Sequence, residues 1–248
     1  TILPGEEMAP GSPAGRMPMP PDNQVAGDTF NIDSYLTDDW FNMVEFRSDS
    51  VYFSSTDNFA QLPNGGALSN GHGTFPVSMR RAGLQQIYTR AASNQPFRPD
   101  TSAQFEVIPG PFVQLLLLLP GEALLPGDTC LYPWQTPGKS GSPVPQYVLE
   151  PFDLSVYPCD KCWNVVTGPG DSIALYSDFS VTSTPAETII TDVAIFSVQF
   201  NNSGPNQNIW AAELQGRYQS YKSWLDIKSR GRVLEITAPD TVWAGETA

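Results

Sequence analysis

The feature that most constrains the fold of this chain is an alternation of apolar and polar residues between Ser172 and Phe200. In its first part Ile173, Leu175 and Val181 share one phase, while polar or small residues occupy most of the other phase. A period of two residues is typical of a β-strand that buries one face. We therefore expect this stretch to be strand and to lie at the centre of the fold.

A turn divides this stretch into two strands. Pro185 follows Thr184, and proline presets the backbone dihedral φ for the second position of a turn. Beyond the turn the apolar residues change phase near Ile195, which predicts a β-bulge or a strand that is buried on both faces. The two strands are therefore expected to form a long antiparallel hairpin.

The rest of the chain has the pattern of short strands between turns. Its 248 residues include 24 prolines and 20 glycines, which disfavour a helical bundle, and the 40% of apolar residues can fill a core. About ten such strands predict an all-β protein, an antiparallel β-sandwich, with a jelly roll as the favoured variety at this length. No internal repeat is evident. The strands are expected at 51–55, 75–79, 85–90, 104–108, 112–119, 147–149, 152–157 and 163–167.

Two segments are less regular. Residues 33–46 are a candidate for a short helix, because apolar residues including Trp40 recur there at helical spacing. Residues 208–232 fit a helix or a strand, and Gly216 favours the strand because glycine weakens a helix. A further short strand is expected at 232–237.

Residues 1–29 have a different composition. They contain six prolines together with Met8, Met17 and Met19. The prolines exclude a helix or a central strand, and the methionines are unusual for a solvated linker. We therefore expect an extended N-terminal arm over 1–29 that contacts a neighbouring subunit. Residues 30–248 are expected to form a single β-sandwich domain with a C-terminal extension.

The charge of the chain disfavours some partners. The net charge is −13, which argues against direct binding to nucleic-acid phosphates, and only 16% of the residues are charged. The longest apolar run, 113–119, is far shorter than a membrane-spanning helix. The sequence shows no signal-peptide pattern, and a chain that begins at Thr1 is expected to be a processed or trimmed product.

Cys159 and Cys162 form the one compact motif that could carry chemistry. A Cys-x-x-Cys pair can supply two zinc ligands or a redox couple. Cys130 and His72, the single histidine, would complete four tetrahedral ligands, although the four residues are dispersed along the sequence. Because apparent strands flank the pair, we favour free thiols or one disulfide over a metal or redox site. No cofactor is expected.

Other candidate chemical groups are isolated. His72 is the single possible base for a nucleophilic triad, and the sequence has no Gly-x-Ser-x-Gly turn. Asp178 and Asp192 could act as a hydrolase pair if they faced one cleft, but two acids on an outer sheet face are usually solvated. Asn201 begins an N-glycosylation sequon, Asn-Asn-Ser. We therefore predict no catalytic residue and no enzyme, with Asn201 as a candidate glycosylation site.

The proline- and methionine-rich arm, the long Gly/Pro loops, the start at Thr1 and the strand that ends at Phe200 resemble coat proteins of small non-enveloped icosahedral viruses, of the picorna-like or tombus-like jelly-roll kind. The resemblance implies a structural capsid subunit of the virion that assembles with copies of itself or related chains and can attach to a host receptor. Since this chain has no basic arm, genome contact would be weak or would fall to another chain.

Two other functions remain open. A secreted, extracellular carbohydrate-binding module of the lectin type would stack sugar rings on exposed aromatic side chains. A jelly-roll glycoside hydrolase is the third possibility. The candidate stacking residues are Trp134, Trp163, Trp210 and Tyr132.

Overall fold

The computed structural model describes residues 1–92, 97–128 and 137–229. Within these ranges the regular structure is β throughout, and no helix occurs there that could span a membrane. The prediction of an all-β sandwich protein is thus confirmed. The expected strand at 232–237 lies outside the described residues.

The first half of the chain forms nine strands. They are β1 (Gln24–Val25), β2 (Thr29–Tyr35), β3 (Ser50–Ser55), β4 (Gly66–Ala67), β5 (His72–Ser78), β6 (Gly83–Gln85), β7 (Ile87–Ala91), β8 (Asp100–Thr101) and β9 (Phe105–Ile108).

These nine strands make two layers around one core. β2 pairs antiparallel with β5 along its whole length. On the other layer β3 lies between β4 and β7, while β9 pairs antiparallel with β6 and parallel with β1. Alternate residues of these strands point inward, so Ile32, Val77 and Ile87 meet in a buried cluster between the layers.

The second half forms eleven strands. They are β10 (Gln114–Leu118), β11 (Glu122–Leu124), β12 (Lys139–Gly141), β13 (Gln146–Tyr147), β14 (Phe152–Cys159), β15 (Asp171–Tyr176), β16 (Val181–Thr184), β17 (Glu187–Ile190), β18 (Ala194–Phe200), β19 (Gly204–Glu213) and β20 (Ser223–Lys228).

The second half has two main sheets, a separate pair of β11 with β12, and its own core. One sheet has the order β10-β14-β18-β16, and the other has the order β13-β20-β19-β15-β17. The β13–β20 pair is parallel. Leu154, Phe196 and Ile209 from the facing sheets are fully or almost fully buried between them. Among the described residues no sheet contains strands from both halves.

The two halves share one strand order. In each, a first strand (β2 or β14) pairs with a later one (β5 or β18), and the opposite layer places the following strand (β3 or β15) beside β7 or β19. In each, a short strand runs parallel to the last strand of the half. This is the order of an immunoglobulin-type sandwich, B with E and C with F and G. The chain is therefore a tandem of two such sandwiches.

The two sandwiches share a short repeated motif, which the pattern of apolar residues along the chain does not reveal. Leu-Pro-Gly-Glu occurs at 3–6 and again at 119–122. In both copies the glutamate carboxylate accepts a hydrogen bond from the leucine N–H, at 2.9 Å for Leu3 and 2.9 Å for Leu119. The glutamate is then paired with a cation, Arg16 at 3.6 Å in the first copy and Lys139 at 2.8 Å in the second. The expectation of no internal repeat is wrong.

Residues 1–29 belong to the first sandwich instead of forming a separate arm. Leu3 and Ala26 are buried in the first core. Ile2 bridges to Asp33, and β1 joins β9. The segment can contain six prolines because single bridges and turns hold it, so it does not need the N–H groups of a continuous hydrogen-bond ladder. Likewise the single sandwich expected over 30–248 is divided between two cores.

The predicted central hairpin is also divided. β15 pairs with β17 and β19, whereas β16 pairs with β18. The turn expected at Pro185 is present, but it carries the chain from one sheet to the other. Ile190 and Phe196 are buried whereas Ile189 and Ile195 are exposed, so the inward phase is the same before and after residues 191–193. The apparent change of phase therefore comes from exposed apolar residues and not from a bulge.

The two irregular segments are resolved by tertiary pairing. Residues 33–46, expected to be helical, continue β2 to Tyr35 and then form a loop. The described part of 208–232 is two strands, β19 and β20, with Gly216 in the turn between them, as the glycine suggested.

Candidate functional site

The loop that contains the Cys-x-x-Cys motif is organised by one carboxylate. Asp160 follows β14, and its Oδ1 accepts hydrogen bonds from the backbone N–H groups of Cys162 (2.8 Å) and Asn164 (2.9 Å). Its Oδ2 accepts one from Asn164 Nδ2 at 2.9 Å. Trp163 between them takes a left-handed φ of 63°, which the hydrogen bonds on both sides hold in place. We call residues 160–164 the joint loop.

The first sandwich has the same loop in the same place after β2. Asp38 Oδ1 accepts from the N–H groups of Trp40 (2.8 Å) and Asn42 (2.9 Å), and Oδ2 accepts from Asn42 Nδ2 at 2.9 Å. Phe41 takes the left-handed φ, again 63°. We call residues 38–42 the front loop. The two loops share the pattern Asp-x-x-aromatic-Asn, Asp-Asp-Trp-Phe-Asn and Asp-Lys-Cys-Trp-Asn.

The aromatic residue of each loop packs on a glycine. A Cβ atom at Gly15 would lie 2.3 Å from the Phe41 ring, and one at Gly138 would lie 2.5 Å from the Trp163 ring. Both glycines have positive φ and immediately precede the cation that pairs with the repeated glutamate. The conformation of each loop is therefore fixed by its own sandwich.

The joint loop is buried against the first sandwich. Asn164 donates from Nδ2 to the carbonyl of Arg80 at 2.8 Å, and its Oδ1 accepts from the N–H of Ala82 at 2.8 Å. Asp160 also accepts from the N–H of Gly110 at 2.8 Å. Since Asp160 is 0% exposed, these bonds satisfy a carboxylate that would otherwise be costly to bury.

The surface of the first sandwich that receives the joint loop has a defined shape and charge. A Cβ at Gly27 would lie 2.5 Å from Lys161 Cε and 2.7 Å from Cys162 Sγ, so a larger residue would force both side chains to shift. The φ of 77° also favours glycine at this position. Beside it, Asp28 pairs with Lys161 at 2.7 Å. Cys162 is buried and packs with the residues of the first core. We call the surface formed by Gly27, Asp28 and the 80–82 turn the seat.

The front loop has no such cover in the described chain. Trp40 is 71% exposed and Phe46, just beyond the loop, is 97% exposed. The loop is nevertheless closed at its base by the bridge between Thr37 and Met43. It therefore presents large apolar side chains to solvent from a fixed backbone. A cavity of about 690 Å³ adjoins it, lined among others by Ile2, Met8, Arg16, Tyr35 and Asp38.

The electrostatics of the two loops differ with burial. The hydrogen bonds from Asn42, side chain first and then backbone, lower the pKa of Asp38, so this exposed carboxylate stays ionised. Burial, assisted by the charge of Asp160, raises the pKa of Cys159 to about 12. Burial also raises the pKa of Cys162. Both thiols are therefore held in the protonated, unreactive form.

The residues considered for zinc do not come together as one described site. His72 lies at the start of β5, where its ring stacks on Tyr35 at 4.5 Å and Nε2 lies 3.1 Å from Asp33 Oδ1. Cys159 and Cys162 are free thiols in the second sandwich, and Cys130 lies outside the described residues. Among the residues that the structure describes, no group of three or more His, Cys, Asp or Glu side chains could hold a metal ion.

The two described tryptophans considered for sugar stacking are buried or already in contact with other side chains. Trp163 is only 4% exposed. Trp210 stacks on Tyr176 at 6.0 Å, and Lys222 Nζ lies 4.3 Å from the centre of its ring. Trp134 and Tyr132 lie outside the described residues.

The other candidate residues lie on separate turns. Asp178, between β15 and β16, pairs with Lys222 at 2.6 Å, whereas Asp192 lies between β17 and β18 and accepts from the N–H of Val193. Asn201 follows β18 and donates from its side chain to Ser180 Oγ at 2.9 Å.

Sequence reasoning missed the front loop as a candidate site. The available signal was the second occurrence of Asp-x-x-aromatic-Asn, which identifies residues 38–42 as the counterpart of the cysteine loop. A helical reading of the apolar spacing obscured it.

Comparisons with known proteins give limited similarity. No protein-family model matches the chain, and no curated protein matches its sequence. Among solved structures it is similar to the D0–D1 domain of intimin (8% identity, TM-score 0.29, 83% of this chain and 95% of that one). It is also similar to the Yersinia pseudotuberculosis adhesin InvE (18%, 0.33, 83% and 56%) and the Escherichia coli adhesin FdeC (12%, 0.35, 85% and 62%). At these TM-scores the likeness carries no conclusion about function.

The prediction of an icosahedral capsid subunit is wrong. A viral jelly roll is one eight-stranded double sheet, whereas this chain divides into two cores, each with the immunoglobulin-type strand order. The capsid-subunit partners and the virion location that depended on this prediction fall with it.

Proposed function

We propose that the chain is an extracellular adhesion module in which two immunoglobulin-type sandwiches hold a binding end formed by the front loop. One observation carries the proposal: the same loop occurs twice, and the copy at the joint is buried in a contact, while the front copy exposes Trp40 and is followed by the exposed Phe46. Many cell-surface proteins use this sandwich architecture, which supports the extracellular location by analogy of fold. Binding, and not catalysis, is part of the proposal.

The exposed side chains of the front loop have the character of a binding surface. Trp is among the residues that most often dominate protein interfaces, and leaving large apolar groups in water is unfavourable unless a partner covers them. Because hydrogen bonds to Asp38 fix the backbone, little conformational entropy is lost when the loop binds. The partner is therefore expected to contact Trp40 and Phe46 directly.

Binding of carbohydrate through the second sandwich is less well supported. The rings considered for stacking are buried, as in Trp163, or covered by a cation, as in Trp210. A sugar would have to displace Lys222 from its contact with Asp178. We therefore place the receptor-binding surface on the front loop.

The proposal is tested by attaching the chain through its C-terminal end to fluorescent beads and counting beads bound to cultured mammalian cells and to immobilised extracellular-matrix proteins. The Trp40→Ala/Phe46→Ala variant is expected to bind at least about tenfold fewer beads to any surface that the unmodified chain recognises. Trp224→Ala, which removes a 51% exposed tryptophan from the second sandwich, is the matched control and should bind normally. Equal binding by all three chains, or no binding to any surface, would overturn the proposal.

A further inference from the structure

We infer that the front loop docks into the end of another immunoglobulin-type sandwich, one that carries a basic residue where the seat of this chain carries Asp28. The inference rests on the proposed function, since it names the class of partner for the same binding end. At the joint, a loop of the same conformation already lies in the end of a sandwich.

The front loop carries the groups that the joint loop uses for docking. In the joint, the amide of Asn164 bridges the Arg80 carbonyl and the Ala82 N–H across the sandwich boundary. Asn42 holds the same position relative to Asp38, donates in the same way to its own aspartate, and lies exposed at the surface. Its amide is thus oriented to bridge a backbone carbonyl and N–H of a partner turn.

The residue that follows the loop aspartate determines which charge the partner surface should carry. The joint loop has Lys161 at this position, and Lys161 pairs with Asp28 of the seat at 2.7 Å. The front loop has Asp39 instead, which is exposed. An acidic residue opposite Asp39 would repel it, whereas a Lys or Arg there would reproduce the ion pair of the joint with the signs exchanged.

The second sandwich has a surface that corresponds to the seat, which we call the rear end, but this surface does not meet these requirements. Leu149 occupies the place of Gly27, since it too has positive φ. Its N–H donates to the carbonyl of Phe200 at the end of β18, as the N–H of Gly27 donates to the carbonyl of Met79 just after β5. Glu150 follows it where Asp28 follows Gly27. A leucine side chain would enter the space that the loop fills, and Glu150 would face Asp39. The partner is therefore a different sandwich and not a second copy.

The test converts the rear end of the full chain into a seat of the required kind. The Leu149→Gly/Glu150→Lys variant removes the side chain and supplies the cation, and glycine suits the left-handed φ of 59° at position 149, so the variant should fold. Sedimentation velocity is measured at protein concentrations from about 10 μM to 1 mM, because a contact between separate chains is weaker than the same contact within one chain. The variant should associate reversibly head to tail, and the unmodified chain should remain monomeric.

Two additional substitutions in the Leu149→Gly/Glu150→Lys background test the mechanism. Adding Asn42→Ala should abolish association by removing the bridging amide. Adding Asp39→Lys should abolish it by placing two cations together, whereas Glu45→Lys, an equal charge change outside the front loop, should leave it intact. A monomeric seat variant, or association that survives Asn42→Ala, would overturn the inference. Neither result affects bead binding by the unmodified chain, so the proposed function is tested separately.

Discussion

The front loop and the joint loop show how one local structure can have two roles. In both loops an aspartate follows a strand and accepts hydrogen bonds from the N–H groups two and four residues later and from the asparagine side-chain amide. In both, the aromatic residue has a left-handed φ. Their sandwiches differ in what lies ahead of the loop. The joint loop meets the end of the first sandwich, whereas the front loop meets solvent. Local hydrogen bonding therefore fixes the conformation, and the neighbouring surface decides the energetic importance of the loop.

The largest expected difference between the loops is in stability. Asp160→Ala leaves the buried N–H groups of Gly110, Cys162 and Asn164 without their acceptor, and should lower the free energy of unfolding by about 3 kcal/mol or more. Asp38→Ala exposes the corresponding groups to water, which replaces the lost bonds, so its effect should be several-fold smaller. Urea unfolding followed by circular dichroism measures both. Equal losses would show that the joint contributes little to stability.

The second expected difference is in thiol reactivity at equivalent loop positions. Cys162 is buried in the joint and its pKa is raised, so iodoacetamide at pH 8 should modify it at least about a hundredfold more slowly than an exposed thiol. The thiol of the Trp40→Cys variant occupies the same position in the front loop and should react at the rate of an exposed cysteine. Peptide mapping by mass spectrometry separates the sites. Rapid modification of Cys162 in the folded chain would mean that the joint is open.

The third comparison concerns the glycine of the seat and its counterpart. Gly27→Ala places a Cβ against Lys161 and Cys162 and should cost about 1–3 kcal/mol by overpacking. Leu149→Gly, at the equivalent turn of the second sandwich, should change stability by less than about 1 kcal/mol, because relief of the left-handed leucine offsets its lost contacts. Thermal unfolding of both variants tests this. A tolerated Gly27→Ala would argue against tight docking at the seat.

The smallest effect is the pH dependence of the front loop. Since hydrogen bonds from Asn42 lower the pKa of Asp38 in the folded state, its contribution to loop stability is complete above the unfolded aspartate pKa of about 3.9 and is lost as the pH falls through the lower folded value. Amide NMR signals of Trp40 and Asn42 should therefore remain unchanged from neutral pH to near pH 4 and shift below it. Shifts that begin well above pH 4 would contradict the hydrogen-bonded arrangement.

Much of the secondary structure was predictable because strand periodicity is local. The alternation around Ile173 and the segments near 51–55, 75–79 and 152–157 became strands, since each residue’s inward or outward direction follows from the backbone geometry of a strand. The expected strand at 163–167 did not form as one: Val165 makes only an isolated bridge with Cys159. Trp163 at its start belongs to the joint loop, where it has a left-handed φ that strand periodicity does not encode.

The sequence by itself determined that the chain is a β-sandwich protein, that its turns lie at Gly and Pro, and that a carboxylate and an asparagine four residues apart recur in it. Only the tertiary structure decided that the strands divide between two cores and that the recurring loop is buried once and exposed once. The physical reason is that burial depends on which surface stands opposite a side chain. Asp38 and Asp160 make the same bonds to their own loops, and the end of the first sandwich lies against one of them alone.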